Sequence, residues 1–158
     1  RLSSKKRGEE ALAVSIKTYL DSLSKLNGVI IDFNISGDED KLPMELKRAL
    51  YRIICEATGN AIRHGKCNKI NIEFAIHRTF CNLTLQDDGN GFVAENWNAF
   101  NCPGLGLRNM KNLIEAFHGT FELKSEVDSG TNIQIDVPHG ERIISNRGEV
   151  SYEYRSRG

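Results

Sequence analysis

At 158 residues the chain has the length of one ordinary domain, enough to bury a core of its own. Its 21 basic and 21 acidic residues cancel, so no net field recruits nucleic acid or anionic lipid, and 39% hydrophobic beside 27% charged residues is the balance of a globular protein in water. No apolar run approaches a membrane span and no signal-peptide pattern is present, so direct membrane contact is not expected.

The first residues, 1–7, are basic and polar and are expected to be a linker remnant, since the chain opens at Arg1 without a methionine. From 8 to 26, Ala11, Leu12, Ile16, Tyr19, Leu23 and Leu26 recur at helical spacing, and Asn27-Gly28 supplies a stop. The β-branched run 29–35 predicts a strand, followed by an acidic loop, 36–41. The longest helix is predicted over 42–64, with Pro43 in its first turn, Gly65 as its stop, and a core stripe through Leu46, Leu50, Ile53, Ile54, Ala57 and Ala61. A weaker strip, Tyr51, Cys55 and Ile62, suits cover by a second element on the far side.

Alternation over 69–77 and 79–86 predicts an antiparallel hairpin that delivers Asp87 at its end. The stretch 93–103, with Trp97 and Phe100, loses periodicity and reads as a loop. A helix follows from Leu105 through Phe117, stopped by Gly119, and then strands over 121–127 and 131–137 joined by Asp128-Ser129-Gly130. In the charged segment 140–158, Asn146-Arg147-Gly148 allows a small hairpin, an unstructured tail being the alternative. Strands that follow one another directly imply a mixed, largely antiparallel sheet with helices on one face. The expected class is therefore α+β, a two-layer α/β sandwich over residues 8–139.

The chemistry concentrates on the end of the long helix. At about 100° per residue, Glu56, Asn60 and Arg63 fall on one strip beside the apolar stripe, with His64 at its edge. An amide oxygen at Asn60 is a hard donor suited to Mg²⁺ shared with phosphates, Glu56 can hold a metal-bound water or accept a proton, and Arg63 and His64 can neutralise phosphate oxygens. Asp87 can accept the exocyclic amine of adenine, where guanine offers a carbonyl, so ATP is favoured over GTP. Gly89 and Gly91 permit a sharp turn and close approach to the base. Gly104, Leu105, Gly106 and Leu107 open a helix whose free N–H groups favour phosphate, and Thr131 can bring a hydroxyl to the adenine side. Neither a Walker loop nor a dinucleotide fingerprint is present. The four cysteines, Cys55, Cys67, Cys81 and Cys102, lack C-x-x-C spacing, which suits reduced thiols, and the scattered histidines argue against a structural metal.

These motifs, E-x-x-x-N-A-x-x-H-G at 56–65, D-D-G-N-G-F at 87–92, G-L-G-L at 104–107 and S-G-T at 129–131, resemble the N box, the glycine boxes and the closing Gly-Thr of the GHKL ATPases. Within that superfamily, residues 10–138 are most similar to the catalytic ATP-binding domain of two-component sensor histidine kinases that pair with LuxR-type response regulators. The resemblance implies a Bergerat fold with a flexible lid, Asn60 on Mg²⁺, Glu56 as the catalytic group beside it, Arg63 and His64 on phosphates, and Asp87 on adenine. It also implies a separate histidine-bearing dimerisation domain as partner and a cytoplasmic location. The chain departs from the pattern at Leu113, where an Arg is frequent, at Asn112 in place of Glu, and at Gly59 inside the helix, which costs about 1 kcal/mol relative to Ala. Because none of His64, His77, His118 and His139 has the context of a phosphoacceptor, the piece is expected to bind ATP without autophosphorylating alone. An anti-sigma-type serine kinase and a non-catalytic interaction module are the alternatives.

Overall fold

The structure, a computed structural model, describes residues 11–93 and 106–154. Helix α1 (Leu12–Asn27) has Ala11 at its N-cap, no side-chain cap and no acidic residue in its first turn. The missing acceptor comes from elsewhere in the chain: Glu39 accepts the Leu12 N–H at 2.6 Å and the Ala13 N–H at 2.9 Å. One carboxylate thereby satisfies two orphan donors and opposes the helix dipole. The acidic loop is thus a capping device, with a single 3₁₀ turn at Glu39–Lys41.

Helix α2 (Met44–Arg63) buries the predicted stripe, and Pro43 stands at its N-cap rather than in its first turn. Its far strip is covered by α1, where Tyr19 meets Tyr51 edge-on at 6.3 Å and donates to the Cys55 carbonyl at 3.4 Å. The stop differs from the expectation at Gly65. The His64 and Gly65 N–H groups both reach the Asn60 carbonyl, and the residue with left-handed backbone is Lys66, at φ 53°. Gly65 is required for space, because a Cβ there would meet the Ala61 carbonyl oxygen at 2.7 Å.

Five strands form one sheet: β1 (Ile30–Ser36), β2 (Lys69–Ile76), β3 (Phe80–Asp87), β4 (Thr120–Ser125) and β5 (Thr131–Pro138), in the order β1-β2-β3-β5-β4. Only β1 and β2 run parallel, because α2 is the crossover between them; the remaining pairs are antiparallel. Ile70, Ile72, Phe74, Leu83, Leu85, Ile133 and Ile135 bury one face under the helices. The alternate positions, among them Asn71, Glu73, Gln86 and Gln134, leave the other face polar and in water. The two-layer sandwich follows from that alternation.

Helix α3 (Leu107–Ala116) starts two residues later than expected, after Gly106 at φ 63°. Past its last residue, Ala116, and the C-cap Phe117, the left-handed position is taken by His118, φ 63°, in place of the predicted Gly119. Gly119 answers a different need, since a Cβ there would lie 2.7 Å from the Asp136 carbonyl oxygen of β5. The last segment forms the hairpin alternative, β6 (Glu141–Ile144) with β7 (Val150–Glu153), as a separate two-stranded sheet. A pair that small is marginal alone. It is tied down by Tyr154, whose ring lies 5.4 Å from the Lys41 Nζ and 5.3 Å from the Arg78 guanidinium. Among the described residues no helix is long and apolar enough to cross a membrane.

Candidate functional site

Between α2 and the covered face of the sheet lies a cleft of about 230 Å³ whose lining includes Asn60 and His64 from the end of α2, Asp87 from the end of β3 and Thr131 from the start of β5. Its apolar lining is Ala57, Ala61, Ile70, Leu85, Phe92, Leu107 and Ile133. At about 30 Å³ per water, this is room for seven or eight waters, on the scale of a bicyclic base. Ala57 and Ala61 were predicted as core stripe; they are small because a cleft begins where a larger side chain would fill it.

Asn60, in the last turn of α2, is 9% exposed, and its Oδ1 is a buried oxygen. Asp87 ends β3 between Ile70 of β2 and Thr131 of β5 in the sheet register. Burial raises its carboxyl above the usual carboxylate range, and the backbone N–H groups of Gly89 and Thr131 pull it back; the Gly89 bond is 2.8 Å to Oδ1. Asp88 has the opposite task. Its Oδ1 accepts the Lys69 and Asn68 N–H groups at 3.0 and 2.8 Å, which hold its carboxyl low and fasten the strand end to the start of β2.

The turn after Asp87 gives its glycines a further reason beside the expected one. The Asn90 N–H donates to the Gly65 carbonyl at 2.6 Å, and a Cβ on Gly89 would lie 2.5 Å from that same oxygen. Gly91, at φ 60°, has no space for a Cβ against the Glu126 carbonyl. What demands glycine here is protein backbone on both sides, although Gly91 also lines the cleft. Sequence reasoning missed Ser125, a plain strand residue whose Oγ accepts the Phe92 N–H at 2.9 Å and bonds the Thr131 Oγ1 at 2.8 Å. It also missed Thr58, fully buried, which lines the cleft while donating to the Ile54 carbonyl.

The predicted ridge divides. Asn60 and His64 face the cleft, but Arg63 does not line it: its guanidinium folds over Gly59, with Nη1 2.8 Å from where a Cβ would stand. The departure at Gly59 therefore makes a notch for Arg63. Glu56 lies beside the cleft with its carboxylate against Gly106, Oε1 being 2.6 Å from the Cβ position that glycine leaves empty. Leu107 and Thr131 are in the lining, whereas Gly104, Leu105 and Cys102 lie outside the described residues.

Residues 45–141 match the family described as histidine kinase-, DNA gyrase B- and HSP90-like ATPase. The chain belongs to that family. Over 130 residues this ATPase-family domain is 29% identical to the signal transduction histidine-protein kinase/phosphatase DegS of Bacillus subtilis, covering 80% of this chain and 34% of DegS. It is 31% identical over 128 residues to the sensor histidine kinase LnrJ of the same organism, covering 81% of this chain and 30% of LnrJ. The chain thus spans about a third of the length of these relatives. In fold it is similar to the catalytic domain of histidine kinase ThkA, with a TM-score of 0.64 at 16% identity over 81% of this chain and 90% of that one. The histidine kinase domain of the blue-light activated kinase of Erythrobacter litoralis EL346 gives 0.65 at 15% identity, over 88% and 66%. The boxes at 56–65 and 87–92 and the Ser129-Gly130-Thr131 turn fall inside the matched span and surround the cleft.

Proposed function

We propose that this domain binds Mg·ATP and, within a longer sensor histidine kinase, passes the γ-phosphoryl group to a histidine on a separate dimerisation domain, for relay to a response regulator. The observation that supports it is the single cleft shared by Asn60 and Asp87, two groups distant in the chain with complementary chemistry. The Asp87 carboxylate, oriented by the Gly89 N–H, is an acceptor for the adenine amine, and the walls of Ala57, Ala61, Leu85 and Ile133 suit the apolar faces of a base. On the helix side, the buried Oδ1 of Asn60 is one hard oxygen of the kind Mg²⁺ takes from protein while keeping waters and phosphates. Bound there, Mg²⁺ supplies neutralisation of phosphate charge. His64 stands at the cleft for the phosphates, and Arg63 reaches them from its notch by a side-chain rotation. Glu56, one turn before Asn60, is the acid beside the metal.

On this reading residues 8–139 are the catalytic unit, acting in the cytoplasm, with a LuxR-type regulator downstream and no self-phosphorylation by the isolated piece. Calorimetric titration tests it. Wild-type protein should take up ATP saturably in the presence of Mg²⁺, with GTP weaker, and Asn60→Asp should lose the Mg²⁺-dependent binding while keeping its circular dichroism spectrum. An unchanged titration in Asn60→Asp refutes the metal assignment.

A further inference from the structure

Gly59 lies buried in the interior of α2, where glycine costs about 1 kcal/mol relative to Ala. The three heavy atoms nearest to a Cβ built there, at 2.8, 3.1 and 3.2 Å, are Nη1, Nη2 and Cζ of Arg63, and none of them is backbone. What glycine makes room for is therefore the end of one flexible side chain. A long side chain on a helix leans back over the residue three or the residue four before it. For Arg63 these are Asn60 and Gly59, and they lie on opposite sides of it. At about 100° per residue, Asn60 stands about 60° round one way and Gly59 about 40° round the other. The first direction is the cleft, which Asn60 lines. The second is α1, whose Tyr19 donates to the Cys55 carbonyl on that side of the helix. Burial raises the Tyr19 phenol and the Arg63 guanidinium is among the groups that pull it back, as a cation leaning toward α1 would.

We propose that Gly59 is a positioning residue that weakens nucleotide binding, because the space it leaves holds Arg63 on the α1 side of the helix and out of the cleft. This rests on the nucleotide reading above and deepens it. The guanidinium can meet phosphate only in molecules where it has left Gly59, so apparent affinity falls with the share in which it has not. A β-carbon at position 59 closes that seat and leaves the Asn60 side as the one over which Arg63 can lean. The exchange is cheap, since the atoms displaced are the far end of a movable chain and the helix gains propensity.

The test is direct binding, apart from any transfer activity. Mg·ATP, and separately adenosine, which has no phosphates, are titrated calorimetrically into wild type, Gly59→Ala, Arg63→Ala and the double variant. Gly59→Ala should bind Mg·ATP about threefold more tightly or better, bind adenosine as wild type does, and lose the whole gain when Arg63 is also Ala. A helix that is merely stiffer would improve both ligands and would keep its gain without the arginine. In the absence of nucleotide, wild type should show nuclear Overhauser cross-peaks between the Gly59 Hα protons and the Arg63 side chain. A smaller gain for Mg·ATP, an equal gain for adenosine, a gain that survives in the double variant, or missing cross-peaks overturns the proposal. A wild type that takes up no Mg·ATP instead overturns the functional reading beneath it.

Discussion

Replacing Asp87 with Asn should move binding and stability in opposite directions, and that opposition is the sharpest consequence of the site. In the structure one carboxylate oxygen is committed to the Gly89 N–H at 2.8 Å. An amide keeps that acceptor but turns its NH₂ group toward the cleft, facing a donor on the base where an acceptor stood. A hydrogen bond to a charged group contributes about 1.5–3 kcal/mol net, so ATP affinity should fall roughly 10- to 150-fold. Stability follows the other sign. Burial raises the Asp87 carboxyl in the folded chain, so its favourable contribution is present below the ordinary carboxylate range and is lost as pH rises through the raised value. At pH 7 the ionised group opposes folding, and Asp87→Asn should melt at or above the wild-type temperature, with the difference shrinking toward acid pH. Calorimetric titration and scanning fluorimetry across pH 4–8 measure both. Affinity within threefold of wild type, or a midpoint several degrees lower at pH 7, would refute the assignment of Asp87 as a buried acceptor for ligand.

Gly91→Ala meets both a left-handed backbone and the Glu126 carbonyl, so it should cost about 3 kcal/mol and lower the melting temperature by roughly 6–12 °C. His118→Gly should do the reverse, relieving a non-glycine residue at φ 63° for a gain of about 0.5–1 kcal/mol, seen as a higher urea midpoint. His139 gives a pH signature. Its ring is buried, Nε2 donates to the His77 and Phe80 carbonyls at 2.9 and 3.2 Å, and Nδ1 has no hydrogen-bond partner among the described residues. Burial lowers its pKa, with Lys41 and His77 also opposing a positive charge, so the stability it lends is intact above the ordinary value of 6.5 and declines as pH falls below it. His139→Gln, which keeps a donor without titrating, should flatten part of the acid limb of the stability curve between pH 6.5 and 5; a variant curve parallel to wild type contradicts the argument.

The layers of the fold were legible because their cause is local. Alternation in Ile70, Ile72, Phe74 and in Leu83, Leu85 states which face is buried, and the 3.6-residue stripe of α2 states the same for the helix. The site was legible as residue types, carboxamide and carboxylate, on elements whose ends could meet. What could not be read was the purpose of the glycines at 65, 89, 91 and 119, since each answers to a carbonyl contributed by a different part of the chain or by the preceding helical turn. Ser125 and Glu39 were silent for a related reason: a hydroxyl or carboxylate that serves a partner far away in sequence leaves no periodic trace. Arg63 was placed on the correct strip by helical geometry, but the rotamer that lays it over Gly59 depends on a notch that spacing alone does not describe.

The bond from the Asn90 N–H to the Gly65 carbonyl joins the segment that leaves α2, the helix of Asn60, to the turn that follows Asp87. Reach between the two grips is therefore held by main chain, which point mutations seldom alter. Side chains along the groove are free to drift and reshape its lining, while the separation of the helix end that carries Asn60 from the strand end that carries Asp87 stays constant, like a caliper with its screw locked.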